Sequence, residues 1–362
     1  MKILVINPGS TSTKLAVFDD FDLLKEETIR HSVDELGEYP NLYEQRHFRE
    51  KLIRDFLESA GFDLDHFDAI IGRGGLLRPL RGGTYCVTES MIEDLRSCRY
   101  GEHASNLGAI LARELSRDSG KEIPSFIADP VVVDEMDDLA RFSGHPDFKR
   151  RSILHALNHK SVGRQVASMH GIRYEELNLI VVHMGGGISI GAHKKGKIVD
   201  VNNALNGDGP YTPERSGTLP LTQLIKLCYS GKYSKQEIKE LIKGRGGMVA
   251  YTGTSDCLEV QKAIDAGNKE WELYYRGMAY QIVKWIGRMA AVLRGEVDYI
   301  VLTGGLAYDS EHMVRWIEEK VSFIAPVEVI PGGSEEEALA AAALRVLKKQ
   351  EEPRIYEEST GV

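Results

Sequence analysis

Short apolar runs alternate with polar turns at the start of the chain: residues 3–6 (Ile-Leu-Val-Ile) and 15–18 (Leu-Ala-Val-Phe) flank the segment Asn7-Pro-Gly-Ser-Thr-Ser-Thr-Lys14. Aliphatic and β-branched flanks around a glycine-containing turn predict strand, turn, strand, with Gly9 able to take positive φ at no steric cost. The hydroxyls of Ser10, Thr11, Ser12 and Thr13 crowd the tip. Such a hairpin offers backbone N–H groups and hydroxyls to a phosphate. The pattern returns at residues 179–192, where Leu-Ile-Val-Val-His-Met leads into Gly185, Gly186 and Gly187 and then alternating Ile-Ser-Ile-Gly-Ala. Two distant copies of one hairpin predict a duplicated nucleotide-binding domain that clamps a ligand between its halves.

Two better-known glycine motifs are excluded. A P-loop needs Gly before its Lys and a helix after it, but Thr13 precedes Lys14 and the residues from Leu15 read as strand. A dinucleotide fingerprint starting at Gly185 would need Gly where Ile190 stands, and Lys194-Lys-Gly-Lys197 instead predicts another hairpin. Elsewhere, helical periodicity covers residues 51–60, 103–116, 152–170 and 274–294, and an alanine-rich helix covers 335–349. Residues 69–72, 125–129 and 299–303 read as short buried strands. This alternation predicts an α/β fold. The expected division is 1–150, joined by the C-terminal helix 335–362, and 151–334.

With 362 residues, 42% hydrophobic and 27% charged, the chain is long enough for two domains. A formal net charge of −9 argues against a general nucleic-acid or membrane-surface binder. No apolar run approaches the length of a spanning helix, the start of the chain is too short in apolar residues for a signal peptide, and a cytoplasmic location is expected. Cys86, Cys98, Cys228 and Cys257 lie far apart without C-x-x-C spacing, as reduced thiols do. Cys98 and His103 lack further metal ligands and read as structural.

Several residues carry candidate chemistry. Arg73, in Gly72-Arg-Gly-Gly75, follows a buried strand, where its guanidinium either forks onto a carboxylate or phosphoryl group or faces solvent. Asp129 ends a strand and either aligns a metal or an Arg or caps a helix. His155 and His183 either donate to a transferring phosphoryl group or are core histidines. Gly304 and Gly305 follow the strand 299–303 at a carboxyl end, where ligands bind in open α/β sheets. Arg215 lies in the loop Thr212-Pro-Glu-Arg-Ser-Gly217, and Glu335, Glu336 and Glu337 open the last helix, a position that ordinarily serves the helix dipole.

Together these segments resemble the acetate kinase family within the actin, Hsp70 and sugar kinase superfamily, and most closely its butyrate kinases. The likeness runs over almost the whole chain. The family's N-A-G-S-S-S-x-K turn matches Asn7, Gly9, Ser10, Ser12 and Lys14, and its R-V-V-H-G-G loop resembles residues 73–78. Its L-H-N-P helix start is similar to residues 103–106, and its F-D-T strand end to Ala128-Asp129. Its F-H-G-T-S-H resembles residues 154–159, and its H-L-G-N-G loop His183, Gly185 and Gly187, with Gly186 replacing Asn. The T-P-x-E-G segment and downstream Arg resemble Thr212-Pro213 and Arg215. Thr303-Gly-Gly-Leu-Ala stands in place of the adenosine motif G-I-G-E-N, and N-E-E resembles the start of the last helix.

The resemblance implies duplicated actin-like, ribonuclease H-like domains and reversible ATP-dependent phosphorylation of butyrate or a related short or branched carboxylate. Acetate, propionate or a sugar hydroxyl are the alternative acceptors. It implies that Arg73 and Arg215 hold the carboxylate and the equatorial oxygens, that His155 donates to the phosphoryl group, and that Asp129 orients an Arg or metal-bound water. Asn7, Ser10, Ser12, Lys14, His183 and the Gly185–Gly187 loop contact phosphates, and Gly304 and Gly305 underlie adenosine. Mg²⁺ is placed near Asn7 and Glu335, with Glu336 fitting almost as well. Gly75, Leu154 and Pro213 wall the acyl pocket, the first two replacing larger family residues. ATP or ADP, Mg²⁺, a small carboxylate and a homo-oligomeric state, a dimer or higher, are expected, with no nucleic-acid or membrane partner. An ATP-driven binding protein of the actin or Hsp70 kind would need polymerising surfaces or an added domain, and none is evident in the sequence.

Overall fold

The computed structural model describes residues 1–121 and 123–357, apart from the side chain of Val33. The chain forms two compact units: Met1–Asp134 together with the chain from Ser334, and Glu135–Gly333. The last five residues of the expected C-terminal segment 335–362 lie outside the described residues.

In the first unit, strands β1 (Lys2–Pro8), β2 (Ser12–Asp19), β3 (Asp22–Arg30), β4 (Ala69–Arg73), β5 (Thr84–Cys86) and β6 (Ser125–Ala128) form a sheet of order β3-β2-β1-β4-β6-β5. β1 pairs antiparallel with β2 and parallel with β4, which pairs parallel with β6. β1 and β4 are central and almost wholly buried, which is why they read as unbroken apolar runs. β3 is an exposed edge strand with no alternation to reveal it in the sequence. The helix Asn106–Asp118 packs on β4, and the terminal helix Glu335–Leu347 packs on β1 and β4. Leu4, Ile6, Leu15, Ile70 and Ile127 meet Leu107, Ile110 and Leu111 in its core.

The second unit repeats the plan. Strands β7 (Asn178–Met184), β8 (Ile188–Lys194), β9 (Lys197–Val201), β10 (Tyr299–Gly304) and β11 (Val327–Pro331) are ordered β11-β10-β7-β8-β9, the first sheet's order without its sixth strand. Both faces are covered. Ile180, Val182, Ile188 and Ile190 pack with Met278, Ile282 and Trp285 of the long helix Lys269–Val292. Leu179, Val181 and Val301 pack with Val162 and Val166 of the helix Ala156–Met169. That last helix begins four residues later than the periodicity predicts, because the chain at His155 has φ −83° and ψ 62°. The helix expected from residue 103 likewise begins at Asn106.

Candidate active site

Both expected hairpins form, the first with four residues between its last pair Pro8–Thr13 and the second with three between Met184 and Ile188. In the first unit Asn7 faces Lys14 across β1 and β2, and Gly9 N–H donates to Ser12 C=O at 2.7 Å. Gly9 is not among the residues with left-handed backbone, so the expected use of its conformational freedom is not made. Ser10 is exposed, Ser12 half-buried and Lys14 exposed. Beneath the tip lies Arg49, which is fully buried and donates to Ser12 C=O at 3.0 Å and Thr13 Oγ1 at 2.9 Å.

At the end of β1 the amide of Asn7 donates to Glu335 Oε2 at 2.9 Å and Glu336 Oε1 at 2.7 Å. Arg73, at the end of β4, donates to the same Glu335 oxygen at 2.6 Å. Lys14 Nζ lies 3.9 Å from Glu336, which is buried, whereas Glu335 is partly exposed. Parallel pairing of β1 with β4 and the docking of the last helix thus bring Asn7, Lys14, Arg73, Glu335 and Glu336 together. The two carboxylates offer hard oxygen donors. Among the described residues, the group of His, Cys, Asp and Glu close enough to cage a metal unaided is Asp63, Asp65 and His66, which is exposed and far along the chain from this cluster. Asn7, Glu335 and Glu336 therefore fit a Mg²⁺ ion that keeps much of its water and shares a substrate's phosphates.

Asp129 is buried, has φ +38°, and accepts from Gly83 N–H at 2.7 Å. No helix starts at the residue after it, so it is not a helix cap. A left-handed backbone at a non-glycine residue stores strain of the kind found at functional positions. Gly75 corrects the pocket expectation. A Cβ there would lie 2.5 Å from Asn106 Oδ1 and 2.6 Å from Asn106 Cα. Its missing side chain makes room for the Asn106 helix, and the volume is not open to a substrate.

In the second unit the Gly185–Gly187 loop closes with Gly185 N–H donating to Gly187 C=O at 3.1 Å. Thr212 Oγ1 donates to Gly186 C=O at 2.7 Å and accepts from Arg215 N–H at 3.0 Å, which fastens Thr212-Pro213 and Arg215 to the loop. The guanidinium lies where a side chain of Gly187 would be, its Nη1 2.1 Å from that Cβ position, and donates to Ala204 C=O at 2.5 Å. Among the described residues, its Nε is buried without a partner. Burial lowers the Arg215 pKa, opposed by Glu214 at 3.9 Å.

The rings of His155 and His183 stack with centroids 3.9 Å apart. Nδ1 of His183 meets Asn158 Oδ1 at 2.7 Å, and burial pushes its pKa down to about 4. Being bonded to an acceptor, Nδ1 carries the ring's proton. Gly304 has φ +86°, and a Cβ there would lie 2.4 Å from Met184 C=O, so only glycine fits between β10 and β7. Gly305 has open space around its Cα. Leu154 and Pro213 are buried.

Sequence reasoning passed over Asn158 and Ser189, which bond to His183 and His155, and His159 and His193, which continue the hydrogen bonds behind Ser189. A signal existed: His155 and His159 are spaced i, i+4 on one helical face, and Ser189 and His193 fall on one face of β8.

Three solved structures share this architecture. An acetate kinase from Porphyromonas gingivalis is 21% identical, with 96% of this chain and 99% of that chain covered and a TM-score of 0.77. A propionate kinase from Francisella tularensis subsp. tularensis SCHU S4 is 20% identical over 94% and 98%, with a TM-score of 0.71. An acetate kinase from Entamoeba histolytica is 18% identical over 98% and 99%, with a TM-score of 0.73. These likenesses establish the fold as the duplicated actin-like α/β ATPase fold expected from the sequence. The acetokinase family pattern itself matches residues 147–328, half of the chain: the chain belongs to the acetokinase family.

Proposed function

We propose that this chain transfers the γ-phosphoryl group of ATP to butyrate, or to a related short or branched carboxylate, forming an acyl phosphate and ADP reversibly. Its family acts on small carboxylates. One observation carries the reading: in the second unit the stacked His155–His183 pair and the Arg215 guanidinium converge on the Gly185–Gly187 loop, with burial holding the His183 pKa down at about 4. That arrangement gathers hydrogen-bond donors and a positive charge for a phosphoryl group.

The chemistry asks little covalent help of the protein. One carboxylate oxygen attacks γ-phosphorus, the bond from phosphorus to the β–γ bridging oxygen breaks, and ADP leaves with that electron pair. A carboxylate needs no deprotonation, so catalysis rests on alignment and charge neutralisation. Arg215 and His155 stabilise charge on the equatorial oxygens, Arg73 forks onto the carboxylate, and Asp129 serves as an orienting acid. Ser10, Ser12, Lys14, His183 and the Gly185–Gly187 loop hold phosphates; Gly304 and Gly305 let the nucleoside approach. Asn7, Glu335 and Glu336 would hold Mg²⁺, which would supply charge neutralisation to the nucleotide phosphates. Leu154, smaller than the family's Phe, supports an acyl chain longer than acetate; Pro213 lies beside it in the proposal. A homo-oligomeric state, a dimer or higher, belongs to the same reading.

The test is incubation with Mg-ATP, a carboxylate and hydroxylamine, which traps acyl phosphate as a coloured hydroxamate. Butyrate giving hydroxamate and ADP supports the reading. A sugar hydroxyl as acceptor, the second reading, would instead need a general base. Asp129 is the candidate, but one of its carboxylate oxygens is already taken by Gly83 N–H.

A further inference from the structure

Behind the stacked pair, the second unit contains a continuous run of polar groups in an otherwise apolar core. Nδ1 of His155 meets Ser189 Oγ at 2.9 Å, and Ser189 Oγ meets His159 Nε2 at 2.8 Å. His159 Nδ1 meets His193 Nε2 at 3.2 Å, and His193 Nδ1 meets the Tyr174 hydroxyl at 2.7 Å. Ser189, His159 and His193 are completely buried and Tyr174 nearly so. The alternation of β8 builds the run: Ile188, Ile190 and Ala192 enter one core face, which turns Ser189, Gly191 and His193 to the other. Gly191 leaves room there for the ring, since a Cβ would lie 3.2 Å from His159 Nδ1.

We infer that Tyr174, His193, His159 and Ser189 form a positioning relay that fixes His155 with its proton on Nε2. The inference rests on the proposed reaction only for its catalytic consequence.

Desolvation drives the pKa of His159 and of His193 well below the ordinary value, so both rings are neutral, each with one donor and one acceptor. The direction of one hydrogen bond therefore sets the next. A phenol is the stronger acid of the pair, so Tyr174 donates to His193 Nδ1. The cations Lys160 and Arg164 also disfavour a charged His193, which keeps that ring an acceptor at one nitrogen. His193 Nε2–H then donates to His159 Nδ1, and His159 Nε2–H to Ser189 Oγ. Among the described residues the Ser189 side chain bonds to these two rings, so its hydroxyl hydrogen goes to His155 Nδ1. A neutral His155 then carries its proton on Nε2, the donor the phosphoryl group requires. The stacked partner His183 is set independently through Asn158.

The test is nitrogen-15 NMR of the full chain with labelled histidine, comparing wild type with Ser189→Ala and Tyr174→Phe, alongside the hydroxamate assay. In wild type His155 is expected in the Nε2–H form. Ser189→Ala is expected to convert it to a mixture while His183 stays Nδ1–H. Turnover is then expected to fall roughly tenfold or more, as when groups that orient a reactive histidine are removed, with little change in KM for ATP. Tyr174→Phe keeps the packing ring and is expected to move the same signals more weakly. If Ser189→Ala does not fold, Tyr174→Phe carries the test alone. An unchanged His155 tautomer in the folded variants overturns the relay. A shifted tautomer in a protein that makes no hydroxamate from any carboxylate upholds the relay and removes the proposed reaction instead.

Discussion

A Gly187→Ala exchange would place a methyl carbon 2.1 Å from Arg215 Nη1 and 2.8 Å from its Cζ. Gly187 does not have left-handed backbone, so the main chain accepts alanine and the collision falls on the guanidinium. To move, Arg215 must release Ala204 C=O, which it now meets at 2.5 Å. Removing one donor from a developing oxyanion costs roughly 10²–10³ in turnover, or about 3 kcal/mol. Gly187→Ala is thus expected to lose turnover in that range in the hydroxamate assay, with KM for ATP little changed. Arg215→Ala should lose a similar amount. Because the methyl group acts through Arg215, the double variant should be no slower than Arg215→Ala alone. Wild-type turnover in Gly187→Ala, or a double variant whose losses multiply, would refute this account of the loop.

Three further outcomes follow from other contacts. Arg73→Ala should lose turnover far more than ATP affinity, and Arg73→Lys should recover little, because an ammonium cannot reproduce the fork; steady-state kinetics decide, and near-normal turnover removes Arg73 from the site. Gly75→Ala meets the Asn106 backbone, so it should destabilise by about 1–3 kcal/mol and lower Tm while leaving the butyrate-to-acetate preference unchanged, whereas Leu154→Phe alone should shift that preference toward acetate. A stable Gly75→Ala protein with altered preference would return Gly75 to the pocket. Finally, His183, with a folded pKa of about 4, and His159 and His193, both lowered well below the ordinary value by burial, bind protons more readily when unfolded. Stability should accordingly fall as pH drops below about 6.5, and for His183 the loss should continue to about pH 4. Each such proton contributes about 1.4 kcal/mol per pH unit within its window; denaturant melts from pH 7 to 5 should be steeper for wild type than for His193→Gln, and equal slopes would contradict this.

The two hairpins were legible because their strands are buried and their tips are short, glycine-bearing and polar, a pattern few other structures satisfy. β3 was not, since an exposed edge strand has no apolar face to mark it. Arg73 and Arg215 were found through their glycine-bounded loops. Their partners were harder to see, because Glu335 and Ala204 approach them only after sheet pairing and loop closure. Gly75 shows the opposite error. A glycine reads in a sequence as absent volume, and only the helix packed 2.6 Å from its Cβ position shows that the volume is filled. Arg49 carried no signal in the sequence, yet it lies fully buried under the first hairpin, bonded to Ser12 C=O and Thr13 Oγ1. The histidine relay needs β8 and the Ala156–Met169 helix to be in register, which no local pattern specifies.

The central claim is that the phosphoryl acceptor is a short-chain carboxylate. It is tested most directly by the hydroxamate assay across acetate, propionate, butyrate, isobutyrate and a panel of sugars, with ADP release followed in parallel. The account predicts hydroxamate from the carboxylates. Two buried methylenes at about 0.8 kcal/mol each favour butyrate over acetate by roughly an order of magnitude in kcat/KM. ADP release with a sugar and no hydroxamate from any carboxylate would contradict it.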